Sequence, residues 1–285
     1  MSLAAQGLVR EGKRQLRAIC PQPLLNWREA RFYAKYGEVE LHVLPDLCRP
    51  EMDAIDVGAN DGCYVHFLKK YARRVYAFEP ISWLADDLRR KFQNDLRTKS
   101  VVISDVALSR SSGSGVLRVP IIDGVMVHGC SSMTEAAATK FPEAREVHIR
   151  TEPLDRIYSG ELGFMKVDVE GHEEAVLEGA RETIGRWQPR LQVELEESIA
   201  PGSIARVAEL LRGLGYRGYF IFRHQLKPIE QFDRQIMQNP ANYPDLKAGL
   251  DQRERFGRYI YNFLFFPRGE REDTLRRIRQ RIARL

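Results

Sequence analysis

The chain reads as an α/β protein built on a doubly wound, mostly parallel sheet, with a helical extension before it and a basic helix after it. Three observations predict this. Short apolar runs of strand length alternate with longer stretches of helical period. The first of these runs ends in a glycine turn, "DVGANDG", and the second in an acid, Glu79, about twenty residues later. The composition is that of an ordinary globular chain of 285 residues, 44% hydrophobic and 29% charged, enough for one large core with appendages.

The elements follow in order. Residues 1–50 are expected to form a helical extension, punctuated by Pro21, Pro23, Pro45 and Pro50. The main domain spans 51–270. "AIDVG" is a strand and "GCYVHFLKKYA" a helix. "RVYAFE" is a strand, and "ISWLADDLRRKFQNDL" a helix with Leu84, Leu88 and Phe92 on one face. "SVVISDVAL" is a third strand. Residues 109–150 break the alternation. They are rich in Ser, Gly and Thr, with strand-like pieces "GVLRVP" and "EVHIR", and read as an inserted hairpin and loop. Alternation resumes with the strand "GFMKVDVE", the helix "HEEAVLEGARETIGRW", the strand "RLQVELE" and the helix "GSIARVAELLRGLGY". "YRGYFIFR" and "RYIYNFLFFP" close the pattern as strands, separated by a polar, irregular piece from Lys227 to Arg258 with the character of a lid or surface excursion. Residues 271–285 form the basic helix.

Bulk chemistry narrows the class. The formal net charge of +5 permits an acidic partner without demanding one. Cys20, Cys48, Cys63 and Cys130 form no CxxC pair and no zinc-spaced cluster, so reduced thiols are expected. The first twenty residues hold no apolar core suited to a signal peptide, and no run approaches a membrane span. A soluble, cytoplasmic protein is the expectation.

In a doubly wound sheet, ligands sit beyond the carboxyl ends of the strands. Gly58 and Gly62 let the chain turn tightly there and approach a ligand. Glu79, ending the neighbouring strand, can accept hydrogen bonds from both hydroxyls of a ribose. A dinucleotide site would want G-x-G-x-x-G; here Asn60 stands where the second glycine belongs, leaving less room for a pyrophosphate. The balance tips from NAD toward a ribose ligand without phosphate. S-adenosylmethionine fits, with Asp56 and the glycine turn facing its amino-acid end. Asp105 suits the adenine amino group, with Ala107 and Leu108 as apolar wall. Trp83 suits either that wall or the core.

The segments "IDVGANDG", "VYAFEP", "VALS", "FMKVDVEGHEEAVLEGA" and "LQVELEE" appear in the order of the motifs of the FkbM family of S-adenosylmethionine-dependent methyltransferases. The resemblance covers roughly Asp53 to Glu197, and "DVEGHE…VLEGA" is its most specific part. It implies a Rossmann-like class I methyltransferase fold and O-methylation of a hydroxyl on a sugar, glycan or secondary metabolite. Residues 109–150 match none of its motifs and are read as a loop on the acceptor side.

Methyl transfer to an alcohol needs alignment of donor and acceptor and a destination for the hydroxyl proton. Asp168, Glu170 and His172, at the end of the fourth strand, are the candidates: Asp168 to position, Glu170 or His172 to take the proton. For His172 the competing reading is a helix-start residue, and for Glu173 and Glu174 it is stabilisation of the helix dipole. A metal is not expected. The alternative is an oxygen-ligand site for Mg²⁺ from Asp168, Glu194 and Glu196. A small-molecule or glycan acceptor is expected rather than nucleic acid, because no "NPPY" or "DPPY" tetrapeptide is present to place a flipped base. The remaining alternatives are a nucleic-acid methyltransferase and a cofactor-binding protein without catalysis. In the last fifteen residues Leu275, Ile278, Ile282 and Leu285 form a stripe among six arginines. That stripe suits peripheral contact with an acidic membrane or packing on the domain.

Overall fold

Each of the predicted apolar runs forms a strand, and most of them join one sheet. The computed structural model describes residues 26, 28, 29, 31–33, 37–122, 124–134, 142–242 and 259–285. Most of the N-terminal extension, the "EAAATKF" part of the insertion and much of the irregular piece after Lys227 lie outside the described residues. The strands are β1 (Asp53–Val57), β2 (Val75–Phe78), β3 (Val101–Ser104), β4 (Ala107–Leu108), β5 (Gly113–Ile122), β6 (Val125–Met126), β7 (Ala144–Glu152), β8 (Leu162–Val167), β9 (Arg190–Glu194), β10 (Tyr216–Phe222), β11 (Gln225–Pro228) and β12 (Asn262–Pro267). The helices are α1 (Leu44–Leu47), α2 (Cys63–Leu68), α3 (Ser82–Lys91), α4 (Gln93–Arg97), α5 (Leu154–Ile157), α6 (Glu173–Glu178), α7 (Arg181–Trp187), α8 (Ser203–Gly213), α9 (Arg234–Met237) and α10 (Glu272–Ile282).

The main sheet runs β11–β10–β12–β9–β8–β1–β2–β3. The pairs among β9, β8, β1, β2 and β3 are parallel. β12 enters between β9 and β10 and runs antiparallel to both. A parallel sheet is buried on both faces, so its strands are continuous apolar runs rather than alternating ones. Accordingly β1 and β8 are buried along their whole length. Alternate residues serve the two faces. Ile55, Val57, Met165 and Val167 pack with Val176, Leu177, Ile184, Val207 and Leu211 on one side. Ala54, Phe164, Leu264 and Phe266 pack with Leu68, Leu88, Phe92 and Ile278 on the other.

Two predicted helices are each broken in two. The helix after β2 stops at Phe92, which leaves helical geometry at φ −107°, ψ 25° and is fully buried. The helix after β8 breaks at Gly179, where a Cβ would stand 2.0 Å from the Ser109 carbonyl oxygen. The third predicted strand also divides. β3 ends at Ser104, and β4 leaves for a second sheet ordered β4–β7–β5–β6. The insertion is thus mainly a long antiparallel hairpin, β5 against β7, paired from Gly113↔Thr151 to Pro120↔Ala144.

The C-terminal stripe turns inward. Leu275, Ile278 and Ile282 are buried in the same cluster as Leu44 and Leu47 of α1, while Leu285 is exposed. Asp46 in α1 accepts hydrogen bonds from Arg277 Nε at 3.0 Å and Arg281 Nε at 2.6 Å. The apolar side of α10 is therefore covered by the domain and leaves little for insertion into a bilayer. Among the described residues no helix is long and apolar enough to cross a membrane.

Candidate active site

Two clefts open at the carboxyl ends of β1, β2 and β8, and both are bordered by Gly58, Asn60 and Asp168. The turn between them has little freedom. Gly58 has φ +82°, and a Cβ there would stand 1.9 Å from the Asp168 carbonyl oxygen. Gly62 has φ +80°, and its Cβ would strike Leu88 and Phe92, each at 2.7 Å. Gly62 borders neither cleft, so it serves the packing of turn on helix rather than ligand contact. Asn60 takes a left-handed conformation, φ 46°, which asparagine tolerates better than most residues.

Glu79 lines the first cleft. Its Oε2 accepts from the Asn60 N–H at 2.8 Å and its Oε1 from the Ile81 N–H at 3.0 Å. The carboxylate is thereby fixed across the two strand ends, with lone pairs left for hydroxyl donors. Burial raises its pKa to about 7 against these two bonds, which lower it. Pro80, Ile81, Val106, Ala107 and Leu108 give this cleft an apolar wall. Asp105 is not among its lining. That carboxylate is half exposed and lies 3.5 Å from Arg89, so the wall is apolar where an acid was expected. Trp83 packs beside Leu117 and Ile149 under the insertion, with the Arg145 guanidinium 4.7 Å from its ring centroid.

The insertion contributes a side of the same cleft. Leu117, His128, Gly129, Ser131, Met133 and Ile149 face Glu79 and Ile81 across it. This bears on the expectation that residues 109–150 serve the acceptor side. The described part covers the cleft that holds Glu79. Nothing local in a Ser- and Gly-rich hairpin tells which neighbour it folds upon.

The second cleft is acidic. Glu38, Asp56, Asp61 and Asp168 border it, with Lys166, Tyr33, Tyr64 and Tyr261. Asp56 is 1% exposed, and among the described residues neither carboxylate oxygen has a hydrogen-bond partner. Burial, and then Asp168, Asp61 and Glu38, push its pKa up to about 7 against the pull of Lys166. Lys166 is buried, with Nζ 2.7 Å from Asp168 Oδ2 and 4.6 Å from the Tyr64 ring centroid. Burial alone would lower its pKa. Asp168, Asp56, Glu38 and Glu194 reverse that and raise it above the ordinary lysine value. Glu38, from the N-terminal extension, accepts from Tyr64 Oη and from Asn262 Nδ2 at 3.1 Å. Its part in the site could not be read from the sequence, because its partners Tyr64 and Asn262 lie 26 and 224 residues away.

The "DVEGHE" turn leaves β8 between the clefts. Asp168, Glu170 and His172 all border the first cleft. Asp168, Glu170 and Glu194 can each place one oxygen within 4.8 Å of the other two. Glu196 is not in this group; it accepts from Ser198 Oγ and from Tyr259 Oη at 3.1 Å. The Mg²⁺ alternative thus keeps Asp168 and Glu194, loses Glu196 and gains Glu170. The strand ends at Glu194, so the period-two relation that put Glu196 on the same face does not reach it, while Asp168 and Glu170 stay together. His172 Nε2 lies 2.9 Å from Ser109 Oγ, and burial, then Arg110, lowers its pKa. Glu173 stands in the first turn of α6, as the dipole reading has it, and is also tied into the turn before it. It is buried, and its Oε1 accepts from the Val169 N–H at 3.2 Å and the Gly171 N–H at 2.9 Å, clamping the turn. Glu174 pairs with Arg206 at 2.7 Å.

A polyhydroxyl group would meet Glu79, a flat apolar ring the Ile81–Ala107 wall, and an ammonium the unpartnered Asp56. The residues present fit a nucleoside joined to an amino acid.

Comparison with known proteins gives this arrangement a family. No match was found among the curated proteins. The chain is similar to the crystal structure of methyltransferase FkbM from Methylobacillus flagellatus KT, at 16% identity and a TM-score of 0.48, over 76% of this chain and 44% of that one. This chain thus spans less than half the length of that relative. It is also similar to precorrin-6y C5,15-methyltransferase from Geobacter metallireducens GS-15, at 10% identity and a TM-score of 0.39, over 79% of this chain and 85% of that one. A third likeness is to a putative methyltransferase from Streptococcus mutans in complex with SAH, at 12% identity and a TM-score of 0.38, over 80% of this chain and 95% of that one. TM-scores below 0.5 assign no residue a role. The family model described as "Methyltransferase FkbM domain" matches residues 56–217, more than half of the chain. It takes in the glycine turn, Glu79, the whole insertion and the "DVEGHE" turn, and on that match the chain belongs to the FkbM methyltransferase family.

Proposed function

We propose that this protein is an S-adenosylmethionine-dependent O-methyltransferase acting on a hydroxyl of a small molecule or glycan. One observation carries the donor assignment: a clamped Glu79 and an unpartnered Asp56 face two clefts that meet at Gly58, Asn60 and Asp168. That spacing suits a ribose on Glu79, adenine on Ile81, Val106 and Ala107, and an ammonium near Asp56. Asn60 and Gly58 separate the two halves.

When bound, the donor supplies an electrophilic methyl group on a sulfonium. The chain's own task is to align an acceptor hydroxyl in line with it and to remove a proton. Asp168, fixed by Lys166, stands at the junction of the clefts and serves to position. Glu170 and His172 are the groups for the proton. A lowered pKa keeps His172 neutral at pH 7 and so able to accept one through the ring nitrogen not engaged by Ser109. The insertion excludes water from the donor side. No step requires a metal. A chelator-sensitive activity that is lost in Glu194→Gln would instead assign Asp168, Glu170 and Glu194 to a cation such as Mg²⁺.

Calorimetric titration with S-adenosylhomocysteine tests the donor, and NAD should not compete. Transfer of labelled methyl groups to small-molecule and glycan fractions, against RNA, tests the acceptor. Absence of S-adenosylhomocysteine binding would overturn the reading, and label in RNA alone would overturn its acceptor class.

A further inference from the structure

The segment Ser131–Thr134 presents alternate residues to opposite sides. Ser131 and Met133 face the first cleft. Ser132 and Thr134 face the "DVEGHE" turn. Ser132 is 1% exposed, and its Oγ donates to the Glu170 carbonyl oxygen at 2.5 Å while accepting from the Thr134 N–H at 3.1 Å. The Thr134 Cγ2 lies 2.9 Å from where a Cβ on Gly171 would stand. The Ser132 backbone is bonded in both directions to Arg118 on β5, at 3.0 and 3.1 Å. One strap therefore touches the donor cleft with one edge and the acidic turn with the other.

The turn needs such support. Glu170 has φ 51° and Gly171 φ +99°, and a non-glycine residue in the left-handed region is held there only by its surroundings. Glu173 clamps the turn from the helix side through the Val169 and Gly171 N–H groups. Ser132 holds it from the insertion side through the Glu170 carbonyl. Between the two clamps the peptide carrying Glu170 has one orientation. The direction of the Glu170 side chain, and its approach to Asp168 and Glu194, depends on that orientation.

We infer that Ser132 is a positioning residue coupling donor occupancy to the geometry of the Asp168–His172 turn. The inference rests on the reading of the first cleft as the donor site. A donor seated against Ser131 and Met133 restrains the strap, and the Ser132–Glu170 bond passes that restraint to the acidic turn. The acceptor side is then completed only once the donor is bound, so binding is ordered, donor first. Coupling of this kind requires an element that both sites bias, and the strap is that element.

The test needs no knowledge of the acceptor. Amide hydrogen exchange is followed with and without S-adenosylhomocysteine in the full chain and in Ser132→Ala. In the unaltered protein, ligand at a hundred times its Kd should slow exchange by about tenfold or more in both the strap and residues 169–172. In Ser132→Ala the strap should still be protected by ligand, and the turn should lose most of the ligand-dependent part. A merely structural role would change exchange in the free protein but leave that ligand-dependent difference intact. If Ser132→Ala does not fold, Ser132→Cys, close in size but a weak donor, replaces it with the same expectation. Ser132→Thr, which keeps the hydroxyl, should restore coupling. Equal ligand protection of the turn with and without the serine hydroxyl overturns the coupling alone. Failure of the unaltered protein to bind S-adenosylhomocysteine overturns the donor reading and the coupling with it.

Discussion

At the scale of single residues, the site is governed by carboxylates held where water cannot easily reach them. Glu79→Ala removes the anchor expected for the ribose and should weaken S-adenosylmethionine binding by about 1.5–3 kcal/mol, the range for hydrogen bonds to a charged group, as read by calorimetry. Unchanged affinity would dismiss the assignment. The raised pKa values of Asp56 and Glu79, both about 7, also set a sign. Free, these groups are partly protonated near neutrality. A cationic donor favours the ionised form of Asp56, so binding should release protons and tighten between about pH 6 and 8. Titrations in buffers of different ionisation heat measure this; net proton uptake would contradict it, and Asp56→Asn should diminish the release. His172→Ala should lower kcat about 10²-fold with little change in donor affinity, and near-normal turnover would remove the histidine from the mechanism. The place of Glu79 in the cleft was legible because it follows from one strand end and one spacing. Glu38, Lys166 and Glu173 were not, because their roles depend on partners brought close by the fold or on a bend that breaks strand alternation.

At the scale of elements, the strands of the main sheet were legible and the insertion was not. Strands buried on both faces tend toward apolar runs; β2 and β12 come close, while β1, β8 and β9 carry buried polar residues, Asp53, Asp56, Lys166, Arg190 and Gln192, among their apolar ones. Where helices end is decided by contacts the sequence does not display: Phe92 turns into the core, and Gly179 passes too close to the Ser109 carbonyl for any side chain. The insertion carries a hairpin signal, but its docking surface is set by Leu117, Ile149 and Met133 meeting Ile81 and Leu84. With the Glu79 cleft read as the donor site, this placement changes one expectation. Shortening an acceptor-side loop would spare the donor; shortening this one should weaken donor binding. Met133→Ala is the milder form of the experiment. Loss of its apolar contact with the cleft should reduce S-adenosylhomocysteine affinity by about tenfold. Calorimetry showing normal affinity in Met133→Ala and in a shortened hairpin would return the insertion to the acceptor side.

At the scale of the whole molecule, the two ends of the described fold close on each other. The arginine-rich helix looked separable because its arginines dominate the sequence, yet it is anchored by four buried uncharged residues, Thr274, Leu275, Ile278 and Ile282. Ile278 and Ile282 are fully buried with Leu44 and Leu47, and Thr274 is buried beside the Arg190–Glu270 pair, whose two bonds measure 2.7 and 2.9 Å. Asp46, 6% exposed, depends on Arg277 and Arg281 for its charge partners. Removing residues 271–285 would uncover this part of the core and leave a buried carboxylate unpaired, a combination that destabilises strongly. Truncation should therefore abolish cooperative unfolding or solubility rather than leave an active, unlocalised enzyme. The point variant Ile278→Ala separates this from a membrane role. It should cost about 2–5 kcal/mol in denaturant-induced unfolding, as large-to-small changes in a packed core do. A helix whose apolar side faced lipid would lose vesicle binding and keep its stability. Vesicle flotation of Ile278→Ala beside its unfolding curve thus decides between the two, and a stable variant that no longer floats with anionic vesicles would put α10 on the membrane.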